Sequence, residues 1–471
     1  MALQRTYTLL YIIALAYLCI STLKANAQEA LTPKMLQELS ESYHDDAADK
    51  ALRNAVTANS IKKLTVNRDN AATIDAWFSI KVESSGISNQ KSSGRCWLFA
   101  GMNVLRAKVM AQTGMKNFQF SQNFTFFYDQ LEKSNLFLQG IIDTRNDSLS
   151  NKMVEWLFRN PISDGGQFTG VSDLIMKYGV VPQSVMPETY SSNNTSEFSS
   201  LLKRKLREDG ILLREAAEQG ASKETLEEEK VEMMKTIYRM LVYAYGEPPA
   251  TFTWAPEIDG KPSEEPKLYT PLTFYEQVCG GEDLNENYVM LMNDPTRPYN
   301  QVYEIDFDRH TYDGHNWLYI NLPTEDIKEM ATASLKDSTM LYFSCDVGKF
   351  LNATEGTLDL NNYDYESLFG TPFAMTKKQR IQTFDSGSTH AMTLMAVDID
   401  ADGSIKKWMV ENSWGADYGR QGYLIMTDEW FDEYMFRLVV NKKYCPKKIL
   451  ETLKQKPIRL PAWDPMFQDE D

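Results

Sequence analysis

Cys96 is the side chain in this sequence with the clearest capacity for covalent chemistry. It lies in NQKSSGRCWLFAG, where a polar loop ends and apolar residues begin to recur at helical spacing. The N-terminal end of a helix carries partial positive charge, which stabilises a thiolate. The pattern therefore predicts a nucleophilic thiol at the start of a helix over about residues 96–112. Taken alone, Cys96 fits a buried, unreactive core cysteine at least as well.

Gln90 lies in the loop just before Cys96. Attack of a thiolate on a peptide carbonyl creates an oxyanion, which needs hydrogen-bond donors aimed at it. The backbone N–H of Cys96 and the side-chain amide of Gln90 are the candidate donors. On its own, a loop glutamine is more commonly a solvated residue.

A thiolate also needs an imidazole partner, and the chain has four histidines. His44 lies in a polar N-terminal stretch, while His310 and His315 lie in FDRHTYDGHNW, which indicates a loop. No nearby cysteine completes a ligand set there, so neither a metal nor another cofactor is predicted. His390 follows SGST and opens the apolar run AMTLMAV, which predicts a strand end facing a cleft. For His390 alone, a hydrogen-bonded core histidine is the plainer interpretation.

Asn412 is brought close to His390 by a predicted hairpin. The runs AMTLMAV and IKKWMVEN are separated by DADGS, and the Asp-Gly pair at 402–403 is a strong turn signal. Loops of two to four residues centred there place His390 opposite positions 413–415. An amide oxygen next to the imidazole would fix its tautomer and aim its other nitrogen at the thiol. Trp414 follows closely and would shield that hydrogen bond from water.

These residues resemble the catalytic motifs of papain-like cysteine peptidases. Ser93 replaces a cysteine of the papain signature, and the long separation of Cys96 from His390 requires large insertions. Both departures point to a narrower resemblance, to the bleomycin hydrolase and bacterial aminopeptidase C family, over roughly residues 65–466. It is carried by SSGRCWLFA at 92–100, PPATFTW at 248–254, CDVGK at 345–349, THAM at 389–392, VENSWG at 410–415, GYLIMTDEWF at 422–431 and LPAWDPM at 460–466.

The resemblance implies a thiol peptidase with a Cys96, His390 and Asn412 triad and with Gln90 in the oxyanion hole. It implies aminopeptidase action on peptides with a free N-terminus, in a homo-hexameric ring with internal active sites. In that family a C-terminal arm lies in the substrate cleft and meets the free amino group.

The end of this chain departs from the family, since it reads FQDED at 467–471 in place of small neutral residues. The carboxylates of Asp469, Glu470 and Asp471 would either hold a substrate ammonium or lie in solvent and leave the cleft open. Two other functions therefore stay open. One is an exported endopeptidase with a displaced arm, and the other is a non-catalytic scaffold or binding protein.

The elements that must position these residues indicate an α+β fold. The resemblance implies a two-lobed papain-like core, with a helical lobe and an antiparallel β-barrel lobe, and helical and hook-like insertions. The expected segments are a signal peptide at 1–27, an N-terminal lead-in at 28–64, the helical lobe at 65–190, an inserted helical and hook region at 191–325, the β lobe at 326–445 and a C-terminal arm at 446–471.

Local patterns add further expectations within these segments. The sequence predicts an amphipathic helix over 225–245, with Thr225 and Glu228 at capping-box spacing. It predicts a buried strand at MLYFSC and a loop at SSNNTSEFSS.

Residues 1–27 have the pattern of a secretory signal, with Arg5, the apolar run TLLYIIALAYLCI and ANA at 25–27. The alternative is a buried N-terminal helix. Cleavage near Ala27 would export the protein to the periplasm or the medium. No later segment has the length and apolarity of a membrane-spanning helix.

Charge and cysteine content exclude other classes. The 65 Asp and Glu residues outnumber the 49 Lys and Arg residues, for a net charge of −16. The chain therefore has no basic stripe to follow a nucleic-acid backbone, and no such partner is expected. If Cys96 stays a free thiol, then Cys279, Cys345 and Cys445 allow at most one disulfide.

Overall fold

The computed structural model describes residues 30–43, 46–70, 73–84, 86–464 and 466. The predicted signal at 1–27, His44 and the acidic tail at 467–471 lie outside the described residues. The chain separates into two compact units, Met1–Val66 and Asn67–Asp471. The described part of the first unit contains the helices Pro33–Ser42, Ala47–Ala58 and Ile61–Leu64.

The second unit is a mixed α and β structure. Its described helices are Cys96–Thr113, Gln122–Asp143, Lys152–Arg159, Phe168–Tyr178, Tyr190–Asn193, Thr195–Glu218, Lys223–Tyr245, Pro271–Val278, Leu284–Asn287, Thr324–Lys336, Tyr365–Phe369, Lys377–Gln382, Asp428–Tyr434 and Lys447–Thr452, with a 3₁₀ turn at Lys442–Tyr444. None of these described helices is both long and apolar enough to cross a membrane.

The described strands are β1 Ile80–Lys81, β2 Phe252–Trp254, β3 Glu257–Ile258, β4 Lys261–Pro262, β5 Lys267–Tyr269, β6 Tyr288–Met292, β7 Gln301–Ile305, β8 Leu318–Asn321, β9 Leu341–Cys345, β10 Leu351–Asn352, β11 Thr357–Leu358, β12 His390–Ile399, β13 Ile405–Glu411, β14 Tyr423–Thr427, β15 Met435–Asn441 and β16 Ile458–Leu460. Twelve of them form one sheet, in the order β10-β11-β14-β13-β12-β9-β15-β6-β8-β7-β16 with β1 beside β12. The run from β14 to β6 is antiparallel. The pairs β11–β14, β6–β8 and β7–β16 are parallel.

The β12–β13 hairpin has the register that the turn signal predicts. Thr393 lies opposite Glu411, and Leu394 lies opposite Val410. Almost every residue of β12 is buried, because the strand has the sheet's neighbours on both edges and apolar clusters on both faces. The strand therefore holds His390 at its first position rigidly.

The helix Cys96–Thr113 packs against β12. The Thr393 hydroxyl donates a hydrogen bond to the Ala100 carbonyl over 3.1 Å, which joins the start of the helix's second turn to the first half of the strand. The Arg106 guanidinium forms a buried ion pair with the Glu411 carboxylate. Since losing one partner of such a pair leaves an uncompensated charge, this contact strongly favours one helix position on the sheet.

Two local predictions were wrong. SSNNTSEFSS is not a loop, because all its residues except Asn194 belong to Tyr190–Asn193 and to the helix Thr195–Glu218. The buried Leu202 and Leu206 recur at helical spacing on that helix, and their packing overrides the low helix propensity of the polar residues before them. The predicted capping residue is also displaced, since the Ser222 hydroxyl accepts from the Thr225 N–H over 3.2 Å and the helix begins at Lys223.

Candidate active site

Cys96 is the first residue of its helix, and only 3% of it is exposed. The preceding residue, Arg95, caps the helix without a side-chain hydrogen bond. The Arg95 guanidinium is turned away and pairs with the Glu188 carboxylate at 2.9 Å. Cys96 therefore lies at the positive end of the helix dipole.

Asp164 is hydrogen-bonded to residues on both sides of Cys96. Its carboxylate accepts from the Gly94 N–H over 2.7 Å, and its carbonyl accepts from the Trp97 indole N–H over 2.9 Å. A Cβ on Gly94 would lie 2.6 Å from the Asp164 carboxylate, so glycine is needed for this close approach.

Gln90 is buried and is held by hydrogen bonds to Ser413 and Ser93. Its N–H donates to the Ser413 carbonyl over 2.8 Å, and its Oε1 accepts from the Ser413 hydroxyl over 2.6 Å. Its Nε2 donates to the Ser93 carbonyl over 2.6 Å. An amide nitrogen has two hydrogens, so the second one remains for an oxyanion.

His390 and Asn412 form the hydrogen bond that the hairpin predicts. His390 Nε2 lies 2.8 Å from Asn412 Oδ1, which also accepts from the Ser413 N–H over 2.8 Å. Because an amide oxygen only accepts, Nε2 must carry the hydrogen and Nδ1 is left with a lone pair. The Trp414 ring covers the imidazole with 4.5 Å between ring centroids.

Burial controls the charge of this imidazole. Loss of solvation lowers the pKa of His390 to about 4, and the hydrogen bond to Asn412 opposes that shift. The ring is therefore neutral at pH 7, with Nδ1 able to accept a proton.

The structure joins three of the four predicted site residues by hydrogen bonds at one end of β12, and it places the helix of the fourth, Cys96, against the same strand. Gln90 and Asn412 meet through Ser413, and the Cys96 helix adjoins the strand through the bond from Thr393 to Ala100. His310 and His315 are not bonded to these residues; each is hydrogen-bonded to a carboxylate, from Asp129 and Asp173 respectively.

Metal and disulfide chemistry find no support in the described residues. Among those residues, no group of three or more His, Cys, Asp or Glu side chains could hold a metal ion. The cysteines at 96, 279, 345 and 445 are all free thiols.

Sequence reasoning missed Ser413 and Asp164, which hold the site without taking part in chemistry. Ser413 had a local signal, because it stands inside the NSWG run. Asp164 had none, since only the folded chain brings its carboxylate beside Gly94.

Known proteins match this chain over almost its whole length. The sequence model of the Peptidase C1-like family matches residues 30–467. The chain belongs to the Peptidase C1-like family. It is 38% identical to aminopeptidase C of Listeria monocytogenes over 441 residues, which cover 93% of this chain and 99% of that protein. It is 37% identical to bleomycin hydrolase of Homo sapiens over 450 residues, which cover 93% and 99%.

A solved structure agrees with the sequence matches. The crystal structure of PepW from Lactobacillus rhamnosis superimposes with a TM-score of 0.87 at 37% identity, covering 93% of this chain and 98% of that one. Family membership and this match confirm the predicted family and the α+β papain-like fold. They also confirm the class of enzyme, a cysteine-type aminopeptidase.

Proposed function

We propose that this chain removes N-terminal residues from peptides by covalent catalysis through Cys96, His390 and Asn412. The observation that carries the proposal is the hydrogen bond from His390 to Asn412 at the strand end beside the Cys96 helix. That bond assigns the hydrogen to Nε2 and leaves Nδ1 to accept the proton of the thiol.

The proposed reaction has two halves. Nδ1 of His390 takes the thiol proton, and the Cys96 thiolate attacks the scissile carbonyl. The Cys96 N–H and the second Gln90 amide hydrogen stabilise the oxyanion. The imidazolium then protonates the leaving amine, and a thioester joins the substrate's first residue to Cys96. Water activated by His390 hydrolyses the thioester and restores the thiol.

The C-terminal segment supports aminopeptidase action. Strand β16 pairs with β7, after which the Asp464 carboxylate forms an ion pair with Arg297. Arg437 donates to the Met466 carbonyl over 3.1 Å, and Met466 is buried in the same apolar cluster as Cys96. Residues 467–471 come next in the sequence. We propose that their carboxylates bind the free ammonium of the substrate and block longer N-terminal extensions.

A comparison of substrates tests the proposal. Free-amino and N-blocked fluorogenic peptides are supplied to the wild type, to Cys96→Ala and to a chain that ends at Met466. We expect the wild type to cleave only free-amino peptides, Cys96→Ala to be inactive, and the shortened chain to cleave blocked peptides as well.

Other results would refute parts of this scheme. Activity in Cys96→Ala would reject the nucleophile. Equal use of both substrates by the wild type would favour an endopeptidase, and unchanged selectivity in the shortened chain would remove the tail from substrate recognition.

Assembly and location are further proposals. The resemblance supports a homo-hexamer, and the residues at 1–27 support export after cleavage near Ala27. Light scattering of the purified protein and N-terminal sequencing of protein from each cell fraction would test them. A monomer, or an uncut N-terminus in the cytoplasm, would contradict them.

A further inference from the structure

A histidine–carboxylate pair is buried behind the residue that follows Cys96. His310 Nδ1 lies 2.5 Å from Asp129 Oδ1, and the two side chains are 3% and 0% exposed. The His310 ring packs on the Trp97 ring, with 4.6 Å between centroids. The proposed chemistry uses neither His310 nor Asp129.

The chain is shaped to accept this imidazole. A Cβ on Gly166 or on Gly170 would overlap the His310 ring. Neither glycine has a positive φ, so the backbone conformation does not require glycine at these positions. Space for the His310 ring is what excludes a larger residue there.

Lys133 extends the network to the segment beside the nucleophile. Its ammonium lies 3.0 Å from Asp129 Oδ2 and donates to the Gly165 carbonyl over 2.6 Å. It also lies over the Trp97 ring at 5.4 Å. The same segment contains Asp164, which accepts from the Gly94 N–H and from the Trp97 indole N–H.

The buried carboxylate of this network is paired with the Lys133 ammonium. Burial raises the pKa of Asp129, but Lys133 and His310 lower it by more, so the carboxylate is ionised. Burial, aided by the Lys133 charge, lowers the pKa of His310 against the opposing effect of Asp129. His310 is therefore a neutral ring that donates Nδ1–H to a carboxylate already paired with Lys133.

We propose that His310, with Asp129 and Lys133, is a positioning residue that fixes Trp97 and the 163–166 segment and thereby sets the Cys96 thiol relative to His390. This inference rests on the proposed role of Cys96 as the nucleophile. A displacement of the thiol by about 1 Å is enough to slow such a reaction by up to about 100-fold. A loosened His310 would therefore lower the rate of the chemical step.

His310→Gln tests the inference, with His315→Gln as a matched control. His315 also pairs with a carboxylate, that of Asp173 at 2.7 Å, but its side chain is 64% exposed and lies on the same loop. For each variant, active sites are counted with an irreversible thiol reagent, and kcat is then measured per titrated site. We expect His310→Gln to keep its titratable sites and to lose on the order of 10-fold in kcat, with KM little changed. His315→Gln should match the wild type.

Several results would overturn the inference. Fewer titratable sites with wild-type kcat per site would mean that His310 serves only folding. If His310→Gln does not fold, Lys133→Met replaces it, because this change leaves the His310–Asp129 pair in place and keeps a side chain of similar length over the Trp97 ring. Wild-type kcat per site in Lys133→Met would then reject the network. Activity in Cys96→Ala would instead reject the nucleophile itself, so the two failures are distinguishable.

Discussion

His390 and His310 are two buried imidazoles whose hydrogen-bond partners differ in charge. His390 donates Nε2–H to the neutral amide of Asn412, whereas His310 is bonded through Nδ1 to the carboxylate of Asp129. Burial lowers the pKa of both rings. Both rings are therefore neutral. A proton taken up by His390 meets no adjacent carboxylate that would hold it, whereas a proton taken up by His310 would be held by the Asp129 carboxylate.

The surroundings of the two rings explain this division. The Trp414 ring covers one side of His390. The helix that begins at Cys96 packs against the strand that His390 opens. The His310 ring is instead packed tightly against the Trp97 ring and against the backbone at Gly166 and Gly170. A ring that must accept and release a proton needs a free nitrogen facing the substrate, and a ring that holds its neighbours in place does not.

Replacement of His390 should have the largest effect on activity. We expect His390→Ala to lower kcat/KM by about 10⁴-fold, because neither the deprotonation of the thiol nor the protonation of the leaving amine is then assisted. Steady-state hydrolysis of a free-amino peptide measures the change, with circular dichroism as the check on folding. A loss no larger than that of His310→Gln would contradict the division of roles between the two rings.

The sequence predicts the parts of this site that depend on short-range patterns. The Asp-Gly turn and the two apolar runs set the β12–β13 register, so the contact of His390 with Asn412 follows from local rules. The start of the helix at Cys96 follows from the change from polar to apolar spacing.

The remaining contacts depend on pairings between distant segments. His310 and Asp129 are 181 residues apart, and Asp129 lies within a helix where nothing marks it as a partner. Strand β16 pairs with β7 across a similar interval. Such pairings are selected by the packing of the whole core rather than by local propensity, so residue patterns do not reveal them.

The stability of the protein should respond to acid through His390. The unfolded imidazole takes up a proton below its ordinary pKa of 6.5, while the folded one resists protonation down to about 4. Stability from this group is therefore intact above pH 6.5 and falls as the pH drops towards 4. The loss between pH 7 and pH 5 should be about 2 kcal/mol.

Asn412→Asp sharpens this prediction by giving His390 a carboxylate partner like that of His310. An adjacent negative charge raises the pKa of an imidazole, so the loss of stability between pH 7 and pH 5 should be smaller than in the wild type. Urea unfolding at both pH values measures the change in the free energy of unfolding. His310→Gln serves as the control, because it leaves His390 and Asn412 unaltered. Equal acid sensitivity in the wild type and Asn412→Asp would show that His390 does not control this response.

The smallest expected effect concerns Gln90. Ser413 connects Gln90 to Asn412, the hydrogen-bond partner of His390. Ser413→Ala removes the hydroxyl that donates to Gln90 Oε1 but keeps the backbone bond from the Gln90 N–H to the Ser413 carbonyl. One neutral hydrogen bond contributes about 1 kcal/mol, so kcat should fall roughly 5-fold while KM stays nearly constant. Ser148→Ala, which removes an exposed hydroxyl that hydrogen-bonds with that of Ser150, should match the wild type. An increase in KM with unchanged kcat would instead indicate that Gln90 binds the substrate equally well before and during the reaction, and would remove it from the oxyanion hole.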